Sequence, residues 1–101
     1  MADVALLPLR ALVETHRGEI KAIAARHGGR SVALFGSVAR NEEAPESDID
    51  FLVEFEKGRS LFDLMHIEDD LASLLGCAVD VVALGGLKPR DGDIRSDAVW
   101  L

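Results

Sequence analysis

Two aspartates, Asp48 and Asp50, open a stretch in which Ile49, Phe51, Val53 and Phe55 alternate strictly with Asp48, Asp50, Leu52 and Glu54. Alternation of period two predicts a strand, and a strand carries residues i and i+2 on one face with their backbones roughly 7 Å apart. Like charges held that close repel and raise a carboxyl pKa unless a cation lies between them, and Mg²⁺ prefers hard oxygen ligands of this kind. The alternative is a pair of solvated aspartates at a strand edge, against which stands the rarity of aspartate in strands. A third carboxylate, Asp80, interrupts Ala78 to Val82, an apolar and β-branched run that predicts another strand. Burying an ionised group there is costly unless it is paired or metal-bound; otherwise Asp80 faces solvent on an edge strand. If the two strands lie side by side, the three carboxylates face one site, enough to hold two Mg²⁺ ions about 4 Å apart for in-line displacement at phosphorus.

Gly36-Ser37 follows another strand-like run, Ser31 to Phe35, and precedes Val38-Ala39-Arg40, which can begin a helical turn. Glycine lets a backbone approach a ligand closely, and free N–H groups beside a hydroxyl form a small anion site suited to phosphate oxygens. Taken alone, the pair is equally an ordinary strand-to-helix turn. Arg40 can meet a phosphate or form a surface ion pair with Glu42, Glu43 and Glu46.

These residues need elements to hold them. Pro8 to His27 has Leu9, Leu12, Val13, Ile20, Ile23 and Ala24 at helical spacing, with Pro8 suited to the first turn, Gly28-Gly29 to the stop, and Gly18 as a weak point. Asn41 to Ser47 carries three glutamates and Pro45, a surface loop by composition. After the carboxylate strand, Ser60 can cap a helix whose stripe is Leu61, Leu64, Ile67, Leu71 and Leu74, and Gly76 can end it. Asp93 to Val99 predicts a last short helix, interrupted near its start by Asp91-Gly92-Asp93. The expected fold is α+β: one domain over residues 1–101, a small mixed sheet of about three strands with helices packed on it.

A chain of 101 residues, 49% apolar, is long enough for one core and too short for two ordinary domains. Its net charge of −7 opposes binding to nucleic acid, which needs cations to displace phosphate counterions, and suits divalent cations or a basic protein partner. The lone Cys77 leaves no internal disulfide and fits a reducing cytoplasm. No window approaches the roughly 20 apolar residues of a membrane span. His66 and Asp70, at i and i+4, read as part of a solvated helix face, and His16 and His27 as packed or half-exposed side chains.

The joint pattern, Gly36-Ser37, ten residues, Asp48-x-Asp50 and a strand-borne Asp80, is more specific than its parts. With "LFGSVAR" at Leu34 to Arg40, "SDIDFLVEF" at Ser47 to Phe55 and "LLGCAVDVVAL" at Leu74 to Leu84, the chain resembles the DNA polymerase β-like nucleotidyltransferases over nearly its whole length. Within them it resembles the minimal nucleotidyltransferase (MNT) antitoxins that accompany HEPN-domain toxins. The resemblance implies that Gly36 and Ser37 hold a triphosphate, that Asp48 and Asp50 bind both metal ions, and that Asp80 completes one metal site near the attacking hydroxyl. It also implies transfer of AMP from ATP to a tyrosine of a HEPN toxin, in a hetero-oligomer. Asn41 stands where members often carry glycine, and Asp91 to Val99 is a less regular helix than theirs. Two other readings stay open: neutralisation of the partner by binding alone, and transfer to a small molecule, for which an acceptor-holding domain is not visible.

Overall fold

The first helical stretch divides into α1 (Leu9–Thr15) and α2 (Arg17–Arg26) in the computed structural model, which describes residues 9–40, 42, 48–86 and 92–101. The break falls at His16, two residues ahead of the glycine expected to weaken the helix. Thr15 turns its hydroxyl back onto the Ala11 carbonyl at 2.9 Å, and the His16 N–H is shared between the carbonyls of Leu12 and Val13. Such back-bonding bends a helix without help from glycine. Pro8, Pro89 and, Glu42 apart, the loop from Asn41 to Ser47 lie outside the described residues.

Strand β1 (Gly29–Phe35) starts two residues before the expected run, then α3 (Gly36–Ala39) and β2 (Ile49–Phe55) follow. Helix α4 (Leu61–Leu75) carries the chain to β3 (Val79–Ala83), a single 3₁₀ turn at Leu84–Gly86, α5 (Gly92–Asp97) and β4 (Val99–Trp100). The sheet order is β3-β2-β1-β4, with β1 antiparallel to both neighbours and β2 parallel to β3. The mixed sheet therefore has four strands where about three were expected. Two residues are too few for a periodic signal, and β4 exists because Val99 and Trp100 pair with Leu34 and Ala33.

Alternation along the strands divides the sheet into unequal faces. On one, Val32, Leu34, Ile49, Phe51, Val53 and Val81 meet Val13, Ile20, Ile23 and Ala24 of α1 and α2 and Ile67, Leu71 and Leu75 of α4. On the other, a thin layer of Ala33, Phe35 and Leu52 is partly covered by Val82, Leu84, Ile94 and Ala98. That thin face also carries the aspartates.

Helix α4 is capped as its sequence foretells. Ser60 Oγ accepts the Phe62 N–H at 3.2 Å, Asp63 accepts the Ser60 N–H at 3.0 Å, and Gly76 closes the helix in the left-handed region at φ 69°. Its buried stripe differs from expectation at one end: Leu61 is exposed, and the core side is carried by Ile67, Leu71 and Leu75, with Leu64 and Leu74 half-buried. Asp70 is not merely solvated, since it accepts a 2.9 Å hydrogen bond with His27 Nε2 and so ties the end of α2 to α4; the His66 ring lies 5.4 Å from that of His27. Glu68 of the same helix reaches the outer edge of β3 and accepts the Val81 N–H at 3.3 Å. Among the described residues no helix is long and apolar enough to cross a membrane.

Truncating the fully buried Leu71 to alanine should cost about 2–5 kcal/mol in urea denaturation, whereas the same change at Leu61 should stay within about 0.5 kcal/mol. Equal losses at the two positions would mean that the stripe is wrongly divided.

Candidate active site

Phe35, Asp50 and Asp80 form one row across three strands, Phe35 opposite Asp50 and Asp50 opposite Asp80. Registered neighbours project to the same face, here the thin one, and adjacent strands run about 4.8 Å apart. The parallel pairing of β2 with β3 thus brings the two aspartates side by side although 29 residues separate them in sequence. Asp48 precedes β2 by one residue, and the Ile49 N–H beside it donates to the Ala78 carbonyl at 3.1 Å, fixing where the two strands begin.

Electrostatics registers the crowding. The Asp50 carboxyl is pushed above its ordinary value, first by burial, then by the charges of Asp80 and Asp48, with Arg40 acting weakly in the opposite direction. Asp48 and Asp80 are exposed. For Asp80 this corrects the expected reason for its importance: β3 is an edge strand, so burial never demanded a partner for the carboxylate, but the strand register still delivers it to the row. As the side chains stand, no three acidic, histidine or cysteine groups among the described residues close around a single point. The donor set nonetheless suits a hard divalent ion, being all carboxylate oxygen with one member held under like-charge repulsion, and the two exposed aspartates are free to turn toward it.

Gly36 ties the turn to this row. Its φ of 73° lies in the left-handed region, and a Cβ built there would collide with Oδ2 of Asp50 and approach its Cγ to 3.3 Å. Glycine is needed both for the backbone conformation and for room to set the turn against the carboxylate. Ser37 follows, half-buried, its carbonyl accepting the Glu42 N–H at 2.8 Å. The expected turn is thus present, at the end of β1 and against the carboxylate row.

Arg40 takes the ion-pair option. Its Nε donates to Glu42 at 2.8 Å and its Nη1 to Asp97 of α5, and both bonds raise its pKa. Glu43 and Glu46, the other expected partners, lie outside the described residues. The sequence offered no sign of Asp97, which sits in the least regular helix. Burial, followed by the charge of Asp48, pushes the Cys77 thiol above its ordinary value.

Comparison with known proteins gives the family of the chain. Residues 16–99 match the model of the nucleotidyltransferase domain. The chain belongs to the nucleotidyltransferase domain family. This nucleotidyltransferase is 36% identical over 88 residues to protein adenylyltransferase MntA of Thermococcus cleftensis, covering 87% of the chain and 86% of the relative. A solved structure provisionally named a minimal nucleotidyltransferase superposes with a TM-score of 0.75 at 43% identity, covering 88% of this chain and 95% of that one. The fold also recurs, at 19% identity and a TM-score of 0.66, in a complex of a tri-AMPylated HEPN toxin of Shewanella oneidensis with an MNT antitoxin, covering 86% of this chain and 69% of that one.

Two outcomes follow for this nucleotidyltransferase. Gly36→Ala should cost roughly 1–2 kcal/mol from the left-handed backbone alone, with a further loss from the displaced Asp50 carboxylate, measured as a lower urea midpoint. For Asp50, an acid whose folded pKa is raised binds more protons folded than unfolded, so its contribution falls as pH rises from the ordinary value of 3.8. Asp50→Asn should therefore raise the thermal midpoint at neutral pH and flatten the part of its pH dependence that begins near the ordinary carboxylate value and lies below neutrality; a lowered midpoint would show that the Asp50 charge is compensated.

Proposed function

We propose that this nucleotidyltransferase moves AMP from ATP onto a tyrosine hydroxyl of a HEPN toxin and so acts as its antitoxin. The observation that carries this reading is the row in which strand pairing sets Asp50 beside Asp80, with Asp48 ahead of it and Gly36 against it. Relatives named protein adenylyltransferases and a like fold in a toxin–antitoxin complex support the choice of substrate class.

In this mechanism Asp48, Asp50 and Asp80 would hold Mg²⁺, as two ions, which would supply charge neutralisation for the triphosphate and the departing pyrophosphate. Gly36 and Ser37 orient the phosphates through backbone N–H groups and the serine hydroxyl. The acceptor oxygen forms a bond to the α-phosphorus as the bond from that phosphorus to pyrophosphate breaks, and the hydroxyl proton passes to the Asp80 carboxylate and on to water. Arg40 contacts phosphate only by leaving Glu42 and Asp97, so its first role is to fasten the turn to α5. The chain has no tyrosine, so a tyrosine acceptor lies on another molecule. A cytoplasmic setting, with free ATP and a reduced Cys77, suits the reaction.

The purified protein, labelled ATP, Mg²⁺ and the neighbouring HEPN protein test the scheme. Label should appear on the HEPN protein, and Asp48→Asn should reduce transfer by at least about a hundredfold while keeping the urea midpoint. Undiminished transfer by that variant removes the mechanism, and stoichiometric inhibition without label replaces it with neutralisation by binding.

A further inference from the structure

Three large apolar side chains are left in solvent within one turn and a half of α4: Leu61 at 69% exposure, Phe62 at 71% and Met65 at 49%. Residues at i, i+3 and i+4 are neighbours on a helix surface, so the three form one ridge. Beside it opens a cavity of about 590 Å³, walled by Phe55, Leu61, Leu64 and Leu84 and by Glu54 and Arg59. Scattered apolar residues on a surface need no explanation, but a contiguous ridge with its own cavity marks a contact surface. Nothing in α4 requires this composition, because the helix is already capped by Ser60 and Asp63 and anchored by Ile67, Leu71 and Leu75.

Charge selects the occupant. The sequence of α4, LFDLMHIEDDLASLL, holds no lysine or arginine; of its four acids Asp63 serves the cap, Glu68 the β3 edge and Asp70 His27, which leaves Asp69 exposed, and Glu54 adds a carboxylate on the cavity wall. Arg59 is already engaged by Glu56 at 3.9 Å and Asp63 at 3.7 Å. A second copy of the chain would bring the same acidic surface against itself, and an anionic membrane would be repelled likewise. Position agrees with a substrate protein: Glu54 projects from the same face of β2 as Asp50, four residues away, or about 13 Å along the strand.

We propose that the Leu61, Phe62 and Met65 ridge with its cavity is the docking site for the protein substrate. It receives an amphipathic helix that presents apolar side chains flanked by Lys and Arg. This rests on the reading of the chain as a transferase with a HEPN protein as acceptor, and it adds the surface by which that acceptor is held beyond the reacting hydroxyl. Ridge residues of another helix fill the cavity, and its cations meet Asp69 and Glu54.

Titration calorimetry of the purified chain with the purified HEPN protein tests the site. Phe62→Glu should weaken binding at least about 30-fold, the loss expected of an aromatic anchor, with an unchanged thermal midpoint because the side chain is exposed. Asp69→Lys should weaken it less and reduce its dependence on salt. Wild-type affinity in Phe62→Glu overturns the site. So does a wild-type homodimer that Phe62→Glu dissolves, which makes a second copy the occupant, and so does a wild-type chain that does not bind the HEPN protein. Asp48→Asn separates this proposal from the mechanism: it should bind the HEPN protein as the wild type does while transferring no label, so intact docking without transfer in the wild type counts against the mechanism alone.

Discussion

The repulsion among Asp48, Asp50 and Asp80 is the constraint around which the thin face of the sheet is organised. Strand pairing sets Asp50 beside Asp80, and the only opposing charge acting on Asp50 among the described residues, that of Arg40, is shared with Glu42 and Asp97. Such an arrangement is tolerable where two of the three acids face water and the third lies at the rim of a small apolar layer. It is made possible by the opposite face, where Phe51, Leu34, Ile20, Ile67 and Leu71 are fully buried and supply the stability that the carboxylates withdraw. The sheet is thus a packed support on one side and an open, like-charged surface on the other.

Much of this geometry was legible in advance because β2 speaks plainly. Ile49, Phe51 and Val53 against Asp48 and Asp50 leave one reading for the strand and one for the face of each side chain, and the buried members lie where the alternation puts them. Ser60 and Gly76 announced the ends of α4 for equally local reasons, a hydroxyl accepting an N–H and a residue at home in left-handed backbone. Asp80 was located correctly on a mistaken premise. Burial was expected to force a partner on it, whereas its place follows from a parallel register that no local pattern encodes.

What escaped the sequence depends on contacts distant along the chain. Asp97 pairs with Arg40 across 57 residues, and His27 meets Asp70 across 43; neither pair shares a periodic segment. Strand β4 consists of two residues that are extended because β1 has a free edge for them. Leu61 fits the helical period of the core side yet is left 69% exposed, and period alone cannot say where a core stops.

The carboxylate of Glu68 on the Val81 N–H has an implication for how this molecule coexists with copies of itself. An outermost strand with bare backbone groups invites a neighbour to zip onto it, and here that strand carries Asp80 of the carboxylate row. With one donor already satisfied and the charge of Asp80 standing alongside, an incoming strand would find fewer groups to pair with and a negative charge to desolvate. The acids of the β3 margin therefore also disfavour edge-to-edge pairing between copies of the chain.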